Sequence, residues 1–167
     1  GNKVTLTGAG VNRLFDIQAS NAGITLTNII LTAGNASAGG HLFTQGGAIL
    51  NEGGRLVLDH VTIHNSQSSY AGGAIEDVNG TTIVMNSLIE NNQSQYGGGI
   101  DSGGTLTLIN TLVQNNHATV HEGGGLDVGG TVVISNSQII GNAANGDSNG
   151  GGGGLNITLS GRVSISG

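Results

Sequence analysis

Proline, cysteine and tryptophan are missing from this chain of 167 residues, and it holds only two phenylalanines and two tyrosines. Just 8% of the residues are charged, and four of them are basic. Each shortage narrows the choice. Collagen needs proline and a glycine at every third position, so the 33 glycines here belong to something else. A core without large aromatics is thin and filled by Ile, Leu, Val and Ala, which suits a narrow solenoid better than a globular sandwich. Four basic residues in a chain of net charge −6 leave no clustered Lys and Arg for phosphates, which excludes nucleic acid. The same balance disfavours an anionic membrane surface. No apolar run approaches the ~18 residues of a membrane-spanning helix, so no membrane insertion of this segment is expected. Missing cysteine decides little by itself.

What is present is a repeat. Its clearest copy runs from Gly103 through Thr105-Leu106-Thr107-Leu108 to Asn110, Leu112-Val113 and Asn115-Asn116, and ends in Gly123-Gly124-Gly125-Leu126-Asp127. With Leu106 as the strand anchor, the matching anchors are Val4, Ile24, Leu56, Thr82, Val132 and Val163. The residue two places on is always apolar, and the fourth is Asn28, Asn86, Asn110 or Asn136, with His60 in the one interior exception. A second apolar pair follows, such as Leu88-Ile89 or Leu112-Val113. Next comes asparagine again, at Asn65, Asn91-Asn92, Asn115-Asn116 and Asn142. Each copy then reaches a glycine turn opening a short strand: Gly46-Gly47-Ala48-Ile49, Gly72-Gly73-Ala74-Ile75, Gly97-Gly98-Gly99-Ile100, Gly123-Gly124-Gly125-Leu126 and Gly152-Gly153-Gly154-Leu155.

Alternation over about five residues describes a strand with one buried face, and no segment carries helical periodicity. Short strands between Gly and Asn turns, recurring every ~25 residues, describe a solenoid coil of two or three strands. The expected fold is therefore all-β: a right-handed parallel β-helix of about six coils, one segment over 1–167, roughly 30 Å long at ~4.8 Å per coil. Asn at the bends tolerates left-handed backbone, and stacked amides can bond along a buried ladder of Asn28, His60, Asn86, Asn110 and Asn136. The paired glycines supply positive φ or a close approach to the next coil.

The Gly-Gly-Ala-Ile tetrads at 46–49 and 72–75 resemble one half of the polymorphic outer-membrane-protein repeat, which pairs GGA-plus-aliphatic with FxxN. The second half is met by Ile89-Glu90-Asn91-Asn92, Val113-Gln114-Asn115-Asn116 and Ile139-Ile140-Gly141-Asn142, with the Phe replaced. The resemblance covers about 24–167. It implies a right-handed β-helix of the pectate-lyase-like type in an exported bacterial protein, often a passenger or surface adhesin.

Candidate sites follow from the register. Tyr70, Tyr96 and His121 precede their glycine turns at nearly one offset, and Glu76, Asp101 and Asp127 follow theirs. On adjacent coils these form a ring stack beside a carboxylate column, suited to a glycan or to Ca²⁺ through oxygen ligands. The plainer reading is surface rings and solvated acids. Three like charges ~4.8 Å apart repel unless a cation or water screens them. No catalytic residue is singled out. A polysaccharide lyase would draw on Lys3, Arg13, Arg55 or Arg162, and a glycoside hydrolase on Glu76-Asp77 or Asp101. His60 and His64, like His117 and His121, are four apart, a metal spacing on a helix but not on strands. The outward strand face carries Thr-x-Thr pairs and aliphatics, with Arg55 and Asp59 interrupting. Its readings are ice binding, a partner chain, or a plain solvated strand.

The functional expectation is a secreted or cell-surface structural or adhesive rod, not an enzyme, self-associating or meeting other surface proteins, with glycans as alternative partners. Lys3-Val4-Thr5-Leu6 and Arg162-Val163-Ser164-Ile165 both read as the main strand. That leaves the solenoid uncapped at both ends, as expected of a piece of a longer chain or of a stacked filament.

Overall fold

The computed structural model describes residues 3–37, 44–146, 151–158 and 160–167. They form a parallel β-solenoid of six coils. The main sheet stacks Gly23–Thr27, Arg55–Asp59, Thr81–Met85, Thr105–Ile109, Thr131–Ser135 and Arg162–Ser166. A second, the flank sheet, stacks Val4–Thr7, Ile29–Thr32, Thr62–His64, Leu88–Glu90, Leu112–Gln114 and Gln138–Ile140. A third, the acid sheet, stacks Phe15–Ile17, Ile49–Asn51, Ile75–Asp77, Ile100–Ser102, Leu126–Val128 and Leu155–Ile157. A small fourth sheet joins Gln93–Ser94, His117–Ala118 and Ala143–Ala144. Every pairing is parallel and in register, as in Leu106↔Val132 and Leu106↔Thr82.

The alternation seen in the sequence becomes two interior columns in the main sheet. One is Leu56, Thr82, Leu106 and Val132, and the other is Leu58, Val84, Leu108 and Ile134; all are buried. Leu31, Ile63, Ile89 and Val113 close the flank side, and Ile49, Ile75, Ile100 and Leu126 the acid side. The core is thus narrow and aliphatic, as the shortage of aromatics required; Phe15 is only partly buried against it.

One anchor moves. Val4 pairs with Ile29, not with Ile24, so Lys3-Val4-Thr5-Leu6 lies in the flank sheet and the main sheet has six strands, not seven. The two strand types share an apolar-x-apolar pattern, so pattern alone does not separate them. Numbering does: from Val4 to Ile29 is 29 − 4 = 25 residues, the same step as Ile75 to Ile100 (100 − 75). The step from Val4 to Ile24 is shorter than any coil of that kind.

Both explanations of the double glycine hold, one for each residue. Gly72 sits at φ 62°, where a side chain is strained, and its turn folds back over Ile75 and Glu76. Gly73 has no such backbone, but a Cβ there would overlap the carbonyl oxygen of Gly98 in the next coil. Gly73→Ala should therefore lose at least the ~1–3 kcal/mol typical of overpacking. Gly129→Ala, whose added Cβ meets nothing nearer than Thr158 Oγ1 at 3.5 Å, should stay near wild type. Urea denaturation of the pair tests this; equal midpoints would show that the coils slide apart freely at the glycine turn.

Candidate functional site

The glycine turns bring the two sequence-predicted rows side by side. Tyr70 and Tyr96 have ring centroids 5.4 Å apart at 57°, and Tyr96 stacks on His121 at 4.1 Å and 11°. Both faces of Tyr96 are thereby taken by its neighbours. A sugar stacks on a free ring face, and of the two tyrosines it is Tyr70, 48% exposed, that keeps an open outer side.

The carboxylates align as expected: Asp101 is the register partner of both Glu76 and Asp127. The same outward column continues to Leu50 and Asp16 on one side and to Asn156 on the other. These acids are not solvated. Glu76 is 5% exposed and Asp127 6%, with Asp101 half-buried, because each positive-φ glycine folds its turn over them. One end of the column is charge-paired and the other accepts an amide hydrogen bond. Arg13 Nη1 meets Asp16 Oδ2 at 2.9 Å, and Asn156 Nδ2 donates to Asp127 Oδ1 at 2.9 Å. Its middle is shifted towards the protonated form instead. Burial, and then Asp127, pushes Asp101 up to about 7. Burial, and then Asp101, Asp77 and Asp127, raises Glu76 well above the usual carboxylate range. Burial also raises Asp127, against the Asn156 amide and the nearby His121. The repulsion expected of stacked carboxylates is relieved by protonation. Among the described residues no three His, Asp or Glu side chains converge as metal ligands, so alignment in a column does not by itself form a Ca²⁺ cage.

Sequence reasoning missed the interior side of the same strand. Asn51, Asp77 and Ser102 are register partners facing the core, all 0% exposed. Asn51 and Asp77 each cap the turn after their strand: Gly54 N donates to Asn51 Oδ1 at 2.9 Å and Gly80 N to Asp77 Oδ1 at 2.8 Å. The Asn51 amide also reaches Asp77 Oδ1 and Thr82 Oγ1, each at 3.3 Å. Asp77 Oδ2, Ser102 Oγ and Glu76 Oε2 are buried without a partner, and burial lifts Asp77 to about 6. The available signal was the polar residue just before each Gly turn, at Asn51, Asp77 and Ser102.

The asparagine ladder divides in two. Asn28, His60, Asn86, Asn110 and Asn136 all take left-handed backbone, φ 48–56°, as expected at the bends. They are exposed, however, and not a buried ladder. Asn110 Nδ2 donates to Asn86 Oδ1 at 3.2 Å, but Asn86 Nδ2 passes His60 and donates to Asp59 Oδ1, to which His60 Nδ1 also lies close at 2.7 Å. The buried ladder is one bend further on. Asn116 Oδ1 accepts from the backbone N and the Nδ2 of Asn92, each at 3.0 Å. Asn142 Oδ1 does the same for Asn116, and Ser66 N donates to Asn92 Oδ1. The doubled Asn was its signal: Asn91 and Asn115 turn the chain at φ 53–54°, and Asn92 and Asn116 point inward. The contrast is measurable. Asn86→Gly keeps the left-handed bend and removes only exposed bonds, so it should cost under ~1 kcal/mol in chemical denaturation.

On the outward main-sheet face a column of Thr81, Thr105 and Thr131 stands beside one of Ile83, Thr107 and Val133. His64 meets Thr32 Oγ1 at 3.4 Å and Asn65 Nδ2 at 2.9 Å, not a second histidine. Among the described residues no helix is long and apolar enough to cross a membrane.

The class defined by this architecture is the parallel β-solenoid, built here of coils with one aliphatic core and two asparagine bends. Comparison with family models, curated proteins and solved structures finds no match for the chain.

Proposed function

We propose that this chain is a structural and adhesive rod of the cell surface or the extracellular medium, without catalytic activity. The single observation behind the reading is the arrangement of its side chains in straight rows. Four parallel sheets run through successive coils, the interior is closed by aliphatic columns and a buried amide ladder, and the outward groups repeat at one step per coil. Such a body offers contacts repeated at one spacing along its length, which suits multivalent attachment. The Gly-Gly-Ala-Ile tetrads and their Asn-containing partners support kinship with the polymorphic outer-membrane-protein repeat and with pectate-lyase-like β-helices. Bacterial export and filament formation through self-association belong to the same reading. Protease added to intact source cells should release peptides of this chain. Labelling by antibody only after the cells are permeabilised would sink the surface assignment.

A second reading, polysaccharide cleavage, draws on Asp101, whose carboxyl near neutrality suits a general acid. Release of new chain ends from a polysaccharide, lost in Asp101→Asn, would put an enzyme in place of the rod. Ice binding by the Thr and aliphatic face is tested by thermal hysteresis.

A further inference from the structure

A shallow pocket of about 210 Å³ opens at the exposed asparagine corner, lined by Asn110, Thr111, Leu112, Asn136 and Gln138. It lies between two successive coils, away from the rings and the acid column. Three features distinguish it from the rest of the surface.

None of its five lining residues is charged, in a chain of net charge −6. Its amides are available: Asn136 and Gln138 are exposed and make no side-chain hydrogen bond among the described residues, while Asn110 spends one N–H on Asn86 Oδ1. Its geometry is preset. Asn86, Asn110 and Asn136 are held at φ 48–51°, and their backbone N–H groups are bonded to Ile109, Ser135 and Ser166 of the next coil. The backbone needs no rearrangement to bind, and each exposed amide that is ordered costs ~0.5–1.5 kcal/mol.

An amide presents one donor edge and one acceptor edge, the complement of neighbouring hydroxyls on a sugar ring. Leu112 adds an apolar patch for the ring's C–H face. The corner repeats at ~4.8 Å per coil, a step close to that of an extended pyranose chain. A polyanion meets no cation among the five lining residues and is disfavoured by the net charge of −6; the nearest charges on the row are Asp59 at Asn86 and Lys3 at His60. A cationic ligand finds no carboxylate among the lining residues.

We propose that this corner binds a neutral, extended polysaccharide, one sugar in the pocket between Asn110 and Gln138 and the chain running along the asparagine row towards Asn86. The proposal deepens the adhesive reading by naming its partner; it moves the glycan contact from the Tyr70, Tyr96 and His121 stack to the amide bend. The affinity of one site is weak, since each neutral hydrogen bond contributes only ~0.5–1.5 kcal/mol, and avidity along the row supplies the rest.

The test is native affinity electrophoresis of the whole chain in gels containing a linear neutral β-glucan, a galactomannan or, as the anionic comparator, polygalacturonate. Wild type should be retarded by at least one neutral polymer and not by polygalacturonate. The double variant Asn110→Gly/Gln138→Ala keeps the left-handed bend and an ordinary strand residue, so its circular dichroism and Tm should match wild type. Its retardation should weaken, the apparent Kd rising about tenfold with the loss of two polar contacts. Tyr70→Ala should be retarded like wild type. Retardation by no neutral polymer, an unchanged double variant, or loss of binding in Tyr70→Ala alone would each overturn the proposal. Because the gel needs no cell, a negative result here leaves the surface-rod reading standing, and intracellular labelling leaves the gel result standing.

Discussion

Asn116→Ala is expected to lower the stability of the protein by about 2–6 kcal/mol, a large part of the whole stability of many domains. The side chain accepts from the backbone N–H and the amide of Asn92 and donates to Ile89 O at 3.0 Å and to Asn142 Oδ1. Alanine leaves the Asn92 N–H and one amide hydrogen of Asn92 without partners in a region 1% exposed, and removes one of the donors to Ile89 O, which keeps its place in the strand ladder. Each buried orphan costs ~1–3 kcal/mol. Asn116 itself needs no left-handed backbone, so alanine adds no strain of that kind. Equilibrium denaturation measures the loss against Asn86→Gly on the exposed ladder. A difference of less than ~1 kcal/mol between the two would mean that water reaches the inner ladder.

Stability should also fall as pH rises from about 4 towards 7, opposite to the trend of a protein whose carboxylates are salt-bridged. Asp77 sits at about 6 in the folded chain, above its ordinary 3.8, because burial disfavours the charged form. The folded state therefore binds the proton more tightly than the unfolded state. The stabilisation is complete below about 3.8 and is lost as pH passes through about 6. The interval corresponds to about 3 kcal/mol, or a fall in Tm of roughly 6–12 °C for a chain of this size. Asp101, at about 7, extends the decline towards neutrality, and Glu76 acts in the same direction. Asp77→Asn keeps the acceptor for Gly80 N and carries no charge. It should flatten the curve and raise Tm at pH 8 above that of wild type. A Tm that climbs between pH 4 and 7, or an Asp77→Asn variant less stable than wild type at pH 8, would mean that the carboxylate is compensated inside the core.

The two results bear on different parts of what could be read in advance. The doubled asparagines were visible as a motif, yet the first bend looked like the ladder and the second like a turn. At both bends the left-handed residue lies outside and the next one points inward: Ser87 and Thr111 follow Asn86 and Asn110, and Asn92 and Asn116 follow Asn91 and Asn115, so the first bend buries hydroxyls and the second buries amides. Asp77 was seen only as the neighbour of Glu76. In a strand of three, alternate residues face opposite ways, so Ile75 and Asp77 point into the solenoid and Glu76 out of it. What could not be foreseen was that the glycine turn would cover the outward side as well. The ring stack was legible because a constant offset from the glycines is all that stacking requires. That its faces would be consumed by one another depends on the 4.1 Å separation of Tyr96 and His121, which an offset does not contain.

By itself, the sequence determined the repeat, the parallel strands and the aliphatic core, because a period-two pattern recurring near 25 residues permits little else once large aromatics are absent. It also marked most sites of positive φ, since Gly and Asn are the residues that accept them, whereas Ala9 and Ala33 take such backbone only from their place in the coil. Tertiary structure alone decided which polar groups are wet and which are dry. Val4 joins the flank sheet, the acids beneath the glycine turns are shifted towards their neutral forms, and the inner asparagines replace water for the backbone, all because burial is a property of neighbouring coils and not of any one of them.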